Sequence, residues 1–261
     1  MTPYGETLGS LLYPGSQTSV KSLIPMVEWA EHVCPATPTQ RHHIWWRLDG
    51  GFGSDGSINW LLPRGYPFVA KGYSARRAQN LAQRLPAASW QRLRADKWFT
   101  EITPPTDYVL PTQTVAVRWQ PERKPMKYAL LIHTLPAYTP LEAVRCYEAR
   151  GGQEVEIKQD KLGLQLVRRR KHIWNAQATW IILTDIAHNL LTWTRDWMFS
   201  GSQFETYGLL RVTHDVLNIP GRIEFGGRHG DKLERVALQR SHPYAREMQG
   251  CLAQLFKNLM G

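Results

Sequence analysis

The sequence of residues 42–71 is HHIWWRLDGGFGSDGSINWLLPRGYPFVAK, and this stretch decides the fold class. His42 to Asp49 alternates with the two-residue period of a strand, which is predicted to end at the Gly50-Gly51 pair. A short helix is predicted from Asp55 to Leu62, and a second apolar strand from Tyr66 to Lys71. Strand, helix and strand with short connections are typical of a βαβ unit, so we expect an α/β fold.

Outward from this unit, the chain changes character several times. Residues 1–73 are expected to form part of a core domain, 74–139 a β-rich insertion, 140–200 core helices and 201–261 a C-terminal β and α region. The periodicities predict further helices and strands. The helices are Ser19–His32, Ser74–Leu93, Pro140–Lys161, the central and nearly all-apolar Ile173–Met198, and Pro243–Leu259; the strands are Thr7–Tyr13, Thr112–Trp119, Lys127–His133 and a C-terminal meander of Leu209–His214, Arg222–Phe225 and Leu233–Leu238.

The charge balance favours a polyanionic partner. The chain has 32 Lys and Arg against 22 Asp and Glu, a formal net charge of +10. Nucleic acid, an anionic membrane surface and a merely basic surface all remain open on charge alone. The three cysteines are odd in number and far apart, which argues against a disulfide framework and a structural zinc site and favours a reducing, cytoplasmic setting.

Asp49 is the first candidate for chemistry. It stands at the C-terminal end of a predicted strand and before two glycines, where open α/β sheets bind ligands. An aspartate before glycine is also common in turns, and a turn or capping role is the alternative.

The second candidate is a helical stripe that contains Tyr147, Arg150, Glu154 and Lys161. In one continuous helix these four side chains lie within roughly 60° of one another, with apolar residues on both sides of them. Polar groups in that position are costly to bury unless they are paired or bind an ion. The alternative is a simple ion pair between Arg150 and Glu154, and the Gly151-Gly152 pair predicts a bend in the helix.

These residues carry a family resemblance. Tyr147, Arg150, Glu154 and Lys161 match the Y-x-x-R-x-x-x-E-x-x-x-x-x-x-K signature of DDE-type bacterial insertion-sequence transposases. Residues 47–52, RLDGGF, are similar to the block R-x-D-S-G-F around the second aspartate of that family, with Gly50 in place of the serine. Residues 219–222, IPGR, resemble part of its C-terminal β region, so the resemblance covers nearly the whole chain.

The resemblance implies an RNase H-like catalytic domain that cleaves and transfers DNA strands. Three carboxylates would hold two Mg²⁺ or Mn²⁺ ions, with Asp49 and Glu154 as two of the three. Tyr147, Arg150 and Lys161 would contact DNA phosphate near a transposon end. The implied partners are double-stranded DNA, both transposon ends and target, and a second copy of the chain on paired ends; no membrane partner is expected.

The first aspartate of the family has no counterpart, because no Asp precedes Asp49. We therefore expect an incomplete RNase H-like fold whose first strands are missing, and weak cleavage by this chain alone. Either the reading frame is truncated or a separate chain supplies the missing part. Two further hypotheses stay open, a non-catalytic DNA-binding remnant or regulator and an RNase H-like nuclease of another kind.

The densest basic run is RRRKH at residues 168–172. Its three arginines, Arg168, Arg169 and Arg170, are candidates for contact with DNA phosphate without regard to sequence. The alternative for this run is a solvated loop between two helices.

Overall fold

The computed structural model describes residues 5–149, 151–165, 173–227 and 232–260. The chain forms two compact units, which we name by their content. The sheet unit is Tyr13–Gly151, and the helical unit is Met1–Leu12 together with Gly152–Gly261. The mixed α/β class expected from the sequence is confirmed, whereas the four predicted domain segments remain predictions.

The sheet unit contains one mixed six-stranded sheet with helices on both faces. Strands β1 and β2 pair in parallel, and every other pair in the order β1-β2-β6-β5-β4-β3 is antiparallel. Its elements are α1 Ser19–Val33, α2 Pro38–Arg41, β1 Trp46–Gly53, α3 Asp55–Leu61, β2 Phe68–Gly72, α4 Ala75–Ala82, β3 Gln91–Arg94, β4 Lys97–Ile102, β5 Gln113–Trp119, β6 Lys127–His133 and α5 Pro140–Glu148.

The alternation of side chains along the strands builds a core on each face of this sheet. On β2, Phe68 and Ala70 point to the face covered by α1, α3 and α4, and Val69 points to the face covered by α5. All three are fully buried. A strand with both faces buried is apolar throughout, which is why this segment was predictable from its composition.

The predicted βαβ unit is confirmed as β1, α3 and β2. Ser54 caps α3 by accepting a hydrogen bond from the Ser57 amide at 3.2 Å, and α3 buries Ile58 and Leu61 against the sheet. Gly53 ends β1 so close to β2 that an added Cβ would lie 1.9 Å from the carbonyl oxygen of Lys71. The crossover therefore depends on the absence of a side chain at position 53.

Two sheet-unit predictions are wrong in their bounds. The strand predicted to stop at Gly50-Gly51 begins at Trp46 and continues through a bulge to Gly53, where pairing with β2 resumes at Gly72. The helix predicted over Ser74–Leu93 ends at Ala82. Gln91–Arg94 instead forms β3, which pairs antiparallel with the next strand, β4, so a tight hairpin replaces helix there.

The long helix α7 is the centre of the helical unit, and α8 and α9 pack against it. Its elements are α6 Gly151–Gly163, whose first residue still belongs to the sheet unit, α7 Trp174–Met198, α8 Leu209–Arg211, β7 Gly221–Gly226, β8 Lys232–Leu238 and α9 Ala245–Met260. Its apolar core contains two phenylalanines from the segment after α7, and residues of α9. No helix within the described residues is both long and apolar enough to span a membrane.

Three predictions for the helical unit are wrong. Leu209–His214 is not a strand; α8 continues into a π-helix, Val212–Val216, that buries Val212 and Val216, so the C-terminal meander reduces to the β7–β8 hairpin. Helix α7 has the predicted length but is not buried all round, since Leu190 is 53% exposed and Trp197 is 67% exposed.

The third concerns Thr7–Tyr13, which forms no strand. The side chain of Asn189 on α7 satisfies the backbone of Thr7, accepting from its amide at 2.8 Å and donating to its carbonyl at 3.0 Å. A side-chain amide thereby takes the place of a neighbouring strand.

His188 on α7 fixes the same N-terminal segment. Its Nδ1 lies 2.9 Å from Asp160 Oδ1, and its Nε2 lies 2.9 Å from the carbonyl oxygen of Gly5. Both partners are acceptors, so only the doubly protonated ring can donate to each. The hydrogen bond to Asp160 raises the pKa of His188 against the opposing effect of burial, with smaller contributions from Gly5 and Glu156.

We predict that His188→Gln destabilises the protein more at low pH than at high pH. A raised folded-state pKa gives stability that is fully present below the unfolded value of about 6.5 and is lost as pH rises through the folded value. Loss of a charge-assisted hydrogen bond is worth about 1.5–3 kcal/mol. Urea unfolding at about pH 5.5 and about pH 8.5 measures the difference in the free energy of unfolding between variant and wild type. His214→Gln, at an exposed position, is the control. A difference in the free energy of unfolding that grows as pH rises contradicts the prediction.

We also predict opposite effects for two glycine substitutions. Gly53→Ala should destabilise the protein by about 1–3 kcal/mol, because its Cβ overlaps the Lys71 carbonyl. Gly56→Ala, three residues later in α3, meets nothing within 4 Å and should stabilise by up to about 1 kcal/mol. Thermal unfolding of both variants checks this, and a neutral Gly53→Ala would refute the close approach of β1 and β2.

Candidate functional site

Asp49 lies exposed in the middle of β1, and its carboxylate accepts hydrogen bonds from the Gly50 amide and from Tyr147. Its Oδ1 accepts a hydrogen bond from the Gly50 amide at 2.6 Å. The same atom lies 3.4 Å from the hydroxyl of Tyr147, which is 98 residues later on α5. The structure therefore brings together two residues that the sequence analysis singled out separately.

A second hydrogen bond links β1 to α5 near this contact. Thr139 caps α5 in a reciprocal capping box with Glu142, whose side chain accepts from the Thr139 amide at 2.8 Å. At the other end, Arg47 on β1 donates to the carbonyl oxygen of Cys146 at 3.4 Å. Burial raises the pKa of Cys146 against the opposing charge of Arg47. The capping box defines the start of α5, and the bond from Arg47 links its last turn to β1, which holds Tyr147 beside Asp49.

Lys71 is a neighbour of this site that sequence reasoning missed. Its side chain lies beside Gly50 of β1, where an added Cβ would lie 3.5 Å from Lys71 Cδ. A βαβ unit predicts that β1 and β2 are adjacent, so the register of the two strands was the missing piece of information.

A second polar cluster, also missed, lies at the carboxyl ends of β1 and β2. Asp55 accepts hydrogen bonds from Arg77 at 2.7 Å, from Tyr108 at 2.9 Å and from Thr106 at 3.2 Å. Burial acts to raise the pKa of Asp55, but the hydrogen bonds from Arg77 and Tyr108 outweigh it and lower the pKa. Burial and the bond to Asp55 raise the pKa of Tyr108 to about 12. The cluster is internally satisfied and holds the loop around Pro105 against α3 and α4.

Glu154 and Lys161 lie on α6, outside the sheet unit. They are seven residues apart, so they share one face of that helix, and both are exposed. The single helix predicted over Pro140–Lys161 is wrong, because α5 ends at Glu148 and α6 begins at Gly151. The low helix propensity of the two glycines accounts for the break. Arg150 and the run Arg168, Arg169 and Arg170 lie outside the described residues.

The side chains present supply part of the donor set that a metal site needs. Mg²⁺ and Mn²⁺ prefer oxygen ligands, and carboxylates such as Asp49 and Glu154 have the right donor chemistry. In the part of the chain that the structure describes, however, no three His, Cys, Asp or Glu side chains group around a common point. The donor type suits the ion, and the number of grouped ligands falls short of a complete centre.

A comparison with protein families identifies the class to which this chain belongs. The family model described as transposase DDE domain, group 1, matches residues 5–259. The chain belongs to this family of DDE transposase domains. Among curated proteins, no sequence matches the chain. Transposases of this family move DNA by strand cleavage and transfer, and they generally depend on divalent metal ions.

Proposed function

We propose that this chain is the catalytic domain of an insertion-sequence transposase that cleaves and joins strands of double-stranded DNA at transposon ends. The family match over residues 5–259 carries the proposal. The contact between Tyr147 and Asp49 supports it, because these two residues belong to the separate sequence blocks on which the resemblance rests. The parallel β1–α3–β2 unit beside an antiparallel strand is compatible with an RNase H-like sheet.

The proposal gives each candidate residue a role. Asp49 and Glu154 are the carboxylates that would hold Mg²⁺ or Mn²⁺, and Tyr147 orients the Asp49 carboxylate through its hydroxyl. When bound, such an ion activates a nucleophilic oxygen and neutralises charge on the phosphate. Lys161 and Arg150 would contact DNA phosphate near the transposon end, with the run Arg168, Arg169 and Arg170 adding contacts that do not depend on sequence. Two chains would act together on paired ends.

A second function, DNA binding without cleavage, has one observation in its favour. No three potential ligands group together within the described ranges, so a complete two-metal centre is not assembled from them. A chain of this kind would still bind duplex DNA through its basic side chains and would act as a remnant or regulator of transposition.

We predict that the chain nicks supercoiled plasmid weakly with Mg²⁺ or Mn²⁺, because the first aspartate of the family has no counterpart, and that Asp49→Asn or Glu154→Gln reduces this nicking at least about 100-fold. A metal ion contributes several kcal/mol to the stabilisation of the transition state, and each change removes an ionised ligand. Gel electrophoresis of the plasmid forms measures the rate. Glu122→Gln, a highly exposed carboxylate on the β5–β6 turn, is the matched control.

The outcomes separate the two functions. Nicking that survives both Asp49→Asn and Glu154→Gln contradicts the assignment of these residues as ligands. Duplex binding without nicking under either metal supports the remnant or regulator.

We further predict that Lys161→Gln weakens binding of a fluorescein-labelled duplex and lowers the slope of log K against log salt by about 1. Each phosphate contact releases close to one counterion, so the loss of one contact is read directly from the slope. Fluorescence anisotropy over about 50–200 mM salt is the measurement. Lys257→Gln on α9 removes the same charge from an exposed site, and an equal effect in this control would leave Lys161 without a specific role.

A further inference from the structure

Helix α4 borders an open groove in the sheet unit, outside the Asp49 and Tyr147 contact. The groove has a volume of about 340 Å³. Its wall is formed by α4, its N-cap residue, the residue two positions beyond the helix and the loop at Pro105. The lining residues are Ser74, Arg76, Arg77, Asn80, Leu81, Arg84 and Pro105.

The sequence of α4 places its polar and apolar side chains on opposite faces. At about 100° per residue, Arg76 and Asn80 fall within roughly 40° of each other. Arg84, two residues beyond the helix, lines the same groove. Ala78 and Ala82 point the other way, are buried, and pack against the sheet core. Arg76, Asn80 and Arg84 are all exposed.

The arginines of this groove differ in how their charge is used. Arg77 donates to Asp55 at 2.7 Å and to the Pro105 carbonyl at 2.6 Å, so its charge is compensated within the fold. The side chains of Arg76 and Arg84 make no hydrogen bond or ion pair with the residues that the structure describes. No carboxylate is among the groove's lining residues in the described ranges. The groove therefore carries two uncompensated guanidinium groups and one side-chain amide.

We infer that the α4 groove binds the sugar-phosphate backbone of duplex DNA, as a contact surface additional to the proposed contacts of Arg150 and Lys161. The inference rests on the proposed function, because DNA is the polyanion on which the domain acts. Guanidinium groups match phosphate oxygens with paired donors, and an amide adds a neutral hydrogen bond. Arg76 lies in the first turn of α4 and Arg84 follows two residues after its end, so the two are on the order of 10 Å apart, about the rise of three base pairs, and each can contact a different phosphate.

The decisive variant is Arg76→Gln combined with Arg84→Gln. It removes two charges and no contact within the described fold, so unchanged circular dichroism and thermal unfolding are expected. The control, Arg123→Gln with Lys124→Gln, removes two charges from the exposed β5–β6 turn. A third variant, Arg76→Lys with Arg84→Lys, keeps the charge. Fluorescence anisotropy with a labelled duplex of mixed sequence, over about 50–200 mM salt, is the measurement.

The groove variant is expected to bind the duplex about tenfold or more weakly and to lower the salt slope by about 1.8, two contacts at about 0.9 each. The lysine variant is expected to keep the slope. If the groove variant and the control change binding equally while the wild type binds DNA, the inference that the α4 groove binds DNA is overturned and the proposed function stands. If the wild type binds no duplex at any of these salt concentrations, the proposed function is overturned, and this inference with it.

Discussion

Parallel strands cannot be joined by a tight turn, and the hydrogen-bonded pairing of β1 with β2 therefore requires a crossover that begins and ends at opposite edges of the sheet. Residues 54–67 provide it, with α3 packed on one face. Because both strands run the same way, their carboxyl ends meet at one edge. Asp55 follows β1 there and Ser74 follows β2, so the polar cluster and the start of α4 share that edge as a consequence of topology.

The same pairing explains why Asp49 stands where it can be used. The register pairs Leu48 with Ala70 and buries Leu48, so the next side chain, Asp49, points to the opposite face. That face is the one on which α5 packs, and Tyr147 reaches Asp49 from the last turn of α5. A one-residue slip of β1 against β2 would turn the carboxylate into the apolar core beside α3. The close approach of Gly53 to Lys71 works against such a slip.

Local periodicity was enough to predict elements whose pattern matches their final burial, and it failed where partners outside the segment decide the structure. Helix α1 and strand β6 have such a pattern, and both were predicted within two residues of their bounds. Strand β3 was predicted as helix because only its ladder with β4 makes it a strand. The segment Thr7–Tyr13 has strand-like composition, yet the Asn189 side chain, 182 residues away, takes the place of a strand partner. The Asp55 cluster could not be predicted for the same reason, since the residues that donate to Asp55 are 22 to 53 positions away in the sequence.

Net charge predicts a polyanionic partner but cannot locate the surface that binds it, because many cationic side chains are paired with carboxylates or aromatic rings within the fold. Arg64 lies 3.6 Å from Glu31 and stacks over Trp60 at 3.4 Å. Arg118 lies over the ring of Trp90 at 4.3 Å, where its charge faces the π system. Arg77, bound to Asp55, is a third case. An excess of positive charge becomes a binding surface only where cations are exposed, share a face and lack compensating carboxylates. Within the described part of the sheet unit, the α4 groove meets these three conditions. Its pattern is an arginine at i, an amide at i+4 and an arginine at i+8. This pattern predicts a binding surface only once the opposite, buried face of α4 is known.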